Sequence, residues 1–218
     1  MNPLASFGNS KVTSNTNVSR TISFSMFDES SSEIPIKTNE NSTIELFIPR
    51  DPNLVISSMI YQNVTAMNST PHQLLFDFHY LSINSSLSVS IHWEIEVLQR
   101  NLSYLLIYRF DQMPQLNSSM NNIDGWHVFC PSTLTNDSFY KYFLNNQQTI
   151  GHQILVYGIR QLNSTEVNER CSNSMRNDPP ISDIRYNFTN DYLLRVYTSG
   201  CYYLDSNNQW KSDGMIVS

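Results

Sequence analysis

Ten residues, Ser88 to Val97, read SVSIHWEIEV. Val89, Ile91, Trp93, Ile95 and Val97 take every second position, and serine, histidine and glutamate fill the places between. Successive side chains of a strand point to opposite faces, so this pattern fits a strand with one face in a core and the other toward water. The same period of two runs through Thr21 to Phe27. Further strand candidates are Ile44 to Ile48, Leu54 to Tyr61, Leu74 to Tyr80, Ser103 to Phe110, Trp126 to Phe129, Gln153 to Arg160 and Tyr192 to Tyr197, separated by stretches rich in Asn, Ser and Pro. Helical periodicity is scarce, and Ser138 to Leu144 fits either one short helix or another strand. Many short strands with polar turns and no internal repeat predict an all-β fold, an antiparallel β-sandwich with few or no helices. A single sandwich domain is expected over residues 21–218, preceded by an irregular arm over residues 1–20.

A chain of 218 residues, 40% of them hydrophobic, can bury one sizeable core, or two small ones, without help from metals. Charged residues make up 15%, against about 25% in average soluble domains, and Asn, Ser and Thr supply the missing polarity. The net charge of -6 is dispersed, with no block of Lys or Arg. Nucleic acid and anionic lipid, which need a basic footprint, are therefore excluded as expected partners. Met1 to Phe7 has neither a basic start nor an apolar stretch, and no run of eighteen apolar residues follows. If the protein is exported, its signal is expected upstream, and the chain is expected to be an excerpt of something longer.

Asn-x-Ser/Thr sequons occur at Asn17, Asn41, Asn63, Asn68, Asn84, Asn101, Asn117, Asn136, Asn163 and Asn187. With 25 Asn and 44 Ser plus Thr, chance pairing gives about five, so ten is a twofold excess. The chain is read as a secreted or lumenal glycoprotein. Three cysteines, Cys130, Cys171 and Cys201, leave one over in an oxidising compartment. Cys130 and Cys171 both lie near the ends of apolar runs and are the expected disulfide pair. Cys201 is then a free thiol, half of an intermolecular bridge, or a cysteine whose partner is missing, and the last is the favoured expectation.

Enzymatic signatures are absent. His72, His79, His92, His127 and His152 are scattered singly, without the spacing of a zinc site, so no metal and no cofactor is expected. His79 and His92 are expected to face each other across a hairpin as an ordinary polar pair. Glu94 and Glu96 lie together on one strand face, but on its solvent side, which does not suit the paired carboxylates of a glycosidase. There is no Gly-rich phosphate loop, nucleophile elbow or calcium loop. Trp93, Trp126 and Trp210 each sit in an apolar pattern and are expected in the core rather than on a ligand platform.

The last stretch, Ser199 to Ser218, reads SGCYYLDSNNQWKSDGMIVS: a short strand, a turn at Asp205 to Asn208, an apolar restart at Trp210, and a further strand beginning after Asp213-Gly214. Cys201, Tyr203, Asp205, Trp210 and Gly214 resemble the first half of a GPS motif, the proteolysis-site segment that closes a GAIN domain. The version is similar to that of the large polycystins and their receptor-for-egg-jelly relatives. Met215 follows Gly214 where adhesion receptors have a cysteine, which favours the polycystin branch. Ser23 to Pro49, with EIPI at Glu33 to Ile36, and then SVSIHWEIEV, YLLIYRF and LLRVYTSGCYYLD, follow in the order such a domain has.

This resemblance implies a sandwich like GAIN subdomain B, ending in an incomplete GPS hairpin over residues 199–218. It implies partners in the downstream GPS strand and membrane region of the same chain, with a protein or carbohydrate ligand outside. It implies a place on the extracellular face of the plasma membrane, the ciliary membrane included, as part of a receptor-channel. Family members cleave themselves by an N-to-O acyl shift at His-Leu-Ser/Thr, a histidine acting as general base. No histidine here precedes Leu-Ser or Leu-Thr, so the chain is expected to be non-catalytic. The other expectation, from a different class, is a free-standing secreted sandwich serving adhesion or carbohydrate binding.

Overall fold

The computed structural model describes residues 26–34, 45–46, 56–69, 74–83, 88–134, 138–172, 177–205, 207–212 and 215. The expected arm over residues 1–20 and the expected strand at Ile44 to Ile48, apart from residues 45–46, lie outside them. The chain forms two compact units, residues 1–56 with 206–209, and residues 57–205 with 210–218. In the first, strands β1 (Met26–Phe27) and β2 (Glu33–Ile34) form a small antiparallel hairpin. Asp28 organises its turn, accepting hydrogen bonds from the Ser30 and Ser32 amides at 2.9 Å and from the Ser30 hydroxyl at 2.6 Å.

The second unit holds the sandwich. Its elements are β3 (Ile60–Gln62), α1 (Val64–Met67), β4 (Asp77–Ser82), β5 (Ser90–Val97), β6 (Tyr104–Phe110), β7 (Gln115–Asn117), β8 (Met120–Asn122), β9 (Gly125–Phe129), β10 (Phe139–Leu144), β11 (Ile154–Gln161), α2 (Ser164–Cys171), β12 (Tyr192–Ser199), β13 (Tyr203–Leu204) and β14 (Trp210–Lys211). One four-stranded antiparallel sheet runs in the order β10-β5-β12-β3, the other β4-β11-β6-β9. The all-β expectation holds, with α1 and α2 as the α-helices among the described residues.

Alternation in β5 does what its sequence predicts. Ile91, Trp93 and Ile95 are fully buried, flanked by buried Val89 and Val97. They meet Tyr104, Leu106 and Tyr108 of β6 and Leu155, Tyr157 and Ile159 of β11 in one core between the sheets. Trp93 lies within an aromatic cage, with ring centroids 5.6 Å from Tyr142, 5.8 Å from Tyr157 and 6.1 Å from Tyr108. Strand β6 reads YLLIYRF because both of its faces are covered. Leu105 and Ile107 point to the other side of the sheet, into a second cluster with Phe76, Leu116 and Leu162, against which Val167 of α2 packs. Gly158 of β11 lies opposite Ile107 on that side. A Cβ there would come within 2.7 Å of the Phe78 ring and 2.9 Å of the Phe76 Cβ.

Several sequence expectations change. Of the two alternatives for Ser138 to Leu144 the strand is the one found, over Phe139–Leu144, pairing along β5 from Phe139–Glu96 to Leu144–Ile91. Of the run Leu54 to Tyr61, residues 54 and 55 lie outside the described residues, and among the rest Ile60 and Tyr61 are strand, in β3 at a sheet edge. Between the expected strands Gln153 to Arg160 and Tyr192 to Tyr197, where no element was named, lies α2, Ser164–Cys171. Its start is a capping box: the Asn163 side chain accepts from the Glu166 amide, and Glu166 accepts from the Asn163 amide. His79 and His92 do not face each other, because β4 and β5 belong to different sheets. His79 stacks on Tyr157 and bonds Asp77, whereas His92 stacks on Tyr197 and bonds Ser199. Glu94 is not on the solvent side: it is only 8% exposed, because Arg195, its cross-strand neighbour on β12, pairs with it and the Tyr197 hydroxyl donates to it.

Candidate functional site

Strand β12 delivers the chain to the C-terminal hairpin at the end where β5 begins, with Ser199 opposite Ser90. Beyond it, Cys201 is half-buried and its thiol is free. Tyr202 beside it is half-buried, and burial, with the neighbouring Cys201, raises its phenol above the ordinary range. Tyr203 pairs with Lys211 and Leu204 with Trp210, so the short strand and the apolar restart in the sequence are the two arms of a hairpin. Lys211 Nζ lies 3.5 Å from Asp205 Oδ2, tying the arms across their turn. Asn208 adopts a left-handed φ of 58°, which asparagine tolerates better than most residues. Trp210 is half-buried, and its Nε1 is buried without a hydrogen-bond partner among the described residues. Gly214 lies outside the described residues.

The chain does not leave the sandwich after β14. Ser212 is buried, and its Oγ accepts from the Ser88 amide at 3.1 Å and the Ser88 hydroxyl at 2.9 Å. Three residues on, the Met215 carbonyl accepts from Asn146 Nδ2 at 2.7 Å, while the Met215 amide donates to the Ser212 carbonyl at 3.1 Å. Asn146 also reaches the Ser88 hydroxyl at 3.4 Å. Thr149 locks the base of this anchor. Its hydroxyl donates to the Val89 carbonyl at 2.6 Å and lies 3.0 Å from the Asn146 carbonyl, and it accepts from the Val89 amide at 3.3 Å. Asn146 and Thr149 are 1% and 2% exposed. Three segments distant in sequence thus converge: the entry to β5, the turn after β10, and Ser212 to Met215. Buried amide and hydroxyl groups must find partners, and here they find them in the C-terminal segment.

The disulfide forms a second anchor. Cys130, just after β9, is joined to Cys171, the last residue of α2, with Cα atoms 5.5 Å apart. None of the eight residues of α2 is fully buried, so it depends on such ties. Arg160 grips Glu166 through both carboxylate oxygens, at 2.8 and 2.6 Å. Burial opposes charge on Glu166, but the Arg160 bonds and the Asn163 amide outweigh it and hold the carboxyl below its ordinary value. Arg170 at the other end of the helix reaches the Asp178 carbonyl and carboxylate.

Of the sequons, Asn63, Asn101, Asn163 and Asn187 are exposed and Asn117 is half-buried. Asn68 differs. Its Nδ2 donates to the Phe188 carbonyl at 2.7 Å and its Oδ1 is buried. Asn17, Asn41, Asn84 and Asn136 lie outside the described residues, as does His72. Among the described residues, no group of three or more His, Cys, Asp or Glu could hold a metal ion. No described helix is long and apolar enough to cross a membrane.

Tyr203, Leu204, Trp210 and Lys211 form the hairpin, with Asp205 at its turn and Cys201 just before it, while Ser88, Asn146, Thr149 and Ser212 were not singled out by the sequence reading. These are small polar residues in turns, and only the long-range register makes them neighbours. No family model, curated protein or solved structure matches the chain.

Proposed function

We propose that this chain is a non-catalytic extracellular domain, part of a juxtamembrane region resembling the GAIN/GPS region of a polycystin-type receptor-channel. Its work is to hold its C-terminal segment and to relay what happens outside the cell to the membrane part. The observation that carries this reading is the anchor of Ser212 and Met215 by Ser88 and Asn146. A segment fixed by hydrogen bonds to buried side chains remains seated until something pulls or displaces it. Hydrogen bonds of that kind are individually modest, about 1 kcal/mol each. A few of them make a tether that force or a bound partner can release without unfolding the sandwich. The excess of sequons and the Cys130–Cys171 bridge support an exported protein.

The test reads the coding sequence past Ser218 and asks whether an epitope on the protein is displayed on intact cells. A cysteine followed by a span of ~20 apolar residues, with surface staining, is the expected result. A stop codon soon after Ser218, with release into the medium, overturns the reading and favours a secreted sandwich that binds protein or carbohydrate.

A further inference from the structure

The sandwich is open along the edge where β9 of one sheet lies over β10 of the other, and aromatic contacts close it. Phe129 packs on Tyr140 with centroids 5.4 Å apart, and His127 stacks on Tyr142 at 4.6 Å and 25°. His127 also meets the Phe129 ring edge-on at 4.8 Å, and its register partner is the fully buried Leu106. A titratable, half-buried ring thus sits in the seam against Phe129 and Tyr142, with Leu106 opposite it in register.

We propose that the His127–Tyr142 contact is an acid-sensitive latch, closed at neutral pH and released in acidified surroundings, that lets the β9/β10 edge of the sandwich open. A neutral imidazole stacks on a phenol like any flat ring. An imidazolium must bring a charge into the same slot, where no hydrogen bond to either nitrogen is present among the described residues. The face of Tyr142 attracts a cation, but it replaces only part of the water that the ion gives up.

The groups facing the ring offer no rescue. From β10 they are the phenols of Tyr140 and Tyr142; Lys141 points to the opposite side of that strand, and its register partner is Glu94. From β6 they are Leu106 and the phenols of Tyr104 and Tyr108, both held neutral well beyond pH 10 by burial. From β9 itself there is Phe129. Asp124, just before β9, already accepts the Phe110 amide at 2.8 Å. Burial accordingly lowers the affinity of His127 for a proton. A group whose folded pKa is depressed in this way takes up a proton when the seam opens. Closure is therefore favoured above the ordinary histidine range near 6.5 and lost as pH falls below it.

The test is hydrogen exchange of the 218-residue chain at about pH 7.5 and about pH 5, corrected for intrinsic rates, in wild type and His127→Phe. Phenylalanine keeps a stacking ring and removes the titration. The expected result is a loss of protection in β9 and β10 at the lower pH in wild type, with His127→Phe equally protected at both. Unchanged protection in wild type, or the same loss in the variant, overturns the proposal. Should the variant not fold, the His127 ring is titrated in wild type by NMR. A midpoint below the ordinary range, with Tyr142 signals moving in step, supports the latch, and a midpoint of about 6.5 or above overturns it.

Discussion

Replacing Cys130 and Cys171 together by serine removes the bridge without leaving an odd thiol, and its cost follows from the chain. The bridge closes a loop between residues 41 apart. In the chain-entropy treatment such a loop removes roughly 13 cal/mol/K from the unfolded ensemble, or ~4 kcal/mol at room temperature. The structure sets which part of the fold feels the loss first. α2 has no fully buried residue, so without the bridge it depends on its capping box, Arg160–Glu166 and Arg170–Asp178. Urea unfolding followed by tryptophan fluorescence reads the outcome. With a slope of about 2–3 kcal/mol/M, the midpoint falls by about 1.5 M. Cys201→Ser, whose thiol is in no bridge, serves as control and leaves the midpoint unchanged. A double-serine midpoint within about 0.3 M of wild type at unchanged slope, a loss below ~1 kcal/mol, would show that the bridge does not stabilise the fold through loop closure. It would mean that the unfolded chain already keeps β9 and α2 together.

Three further outcomes are expected. Trp93→Ala empties the centre of the aromatic cage between the sheets and lowers stability by about 3–5 kcal/mol, measured by the same unfolding; a loss below ~1 kcal/mol would show that the cage collapses to fill the space. Asn163→Ala removes the cap of α2 at a cost of about 1 kcal/mol, read as faster amide exchange confined to residues 164–171; uniform exchange in variant and wild type contradicts it. Glycopeptide mass spectrometry of protein made in a secretory pathway finds sugar at Asn63, Asn101 or Asn187 but none at Asn68. The Asn68 amide is bound to Phe188, and an occupied Asn68 in folded protein contradicts that bond.

Strand β5 was legible because one face is core and the other is not, and β6 and β11 because their apolar runs are long. α2 was not, since STEVNERC offers no apolar stripe; its one signal was the Asn163-x-x-Glu166 spacing, which coincides with a sequon. The β7–β8 hairpin escaped for the same reason, with Leu116 its one buried residue. Alternation alone also misjudged Glu94. It identifies a face but not what lies on it, and Arg195, 101 residues further on, is what covers that carboxylate. The hairpin of β13 and β14 was readable from its turn residues. Its anchor was not, because Asn146 and Met215 are 69 residues apart and become neighbours only through the register of β10 on β5.

The side chains of Asn146 and Ser212 seat the C-terminal segment in the sandwich. Amide exchange at Ser88 and Met215, in wild type and in Asn146→Ala, tests it most directly. Both amides are bonded within the anchor. Both should be protected in wild type and should lose most of that protection in Asn146→Ala, while the amides of β5 and β12 stay as slow as before. Unprotected Ser88 and Met215 amides in wild type, or equal protection in the variant, would contradict the account.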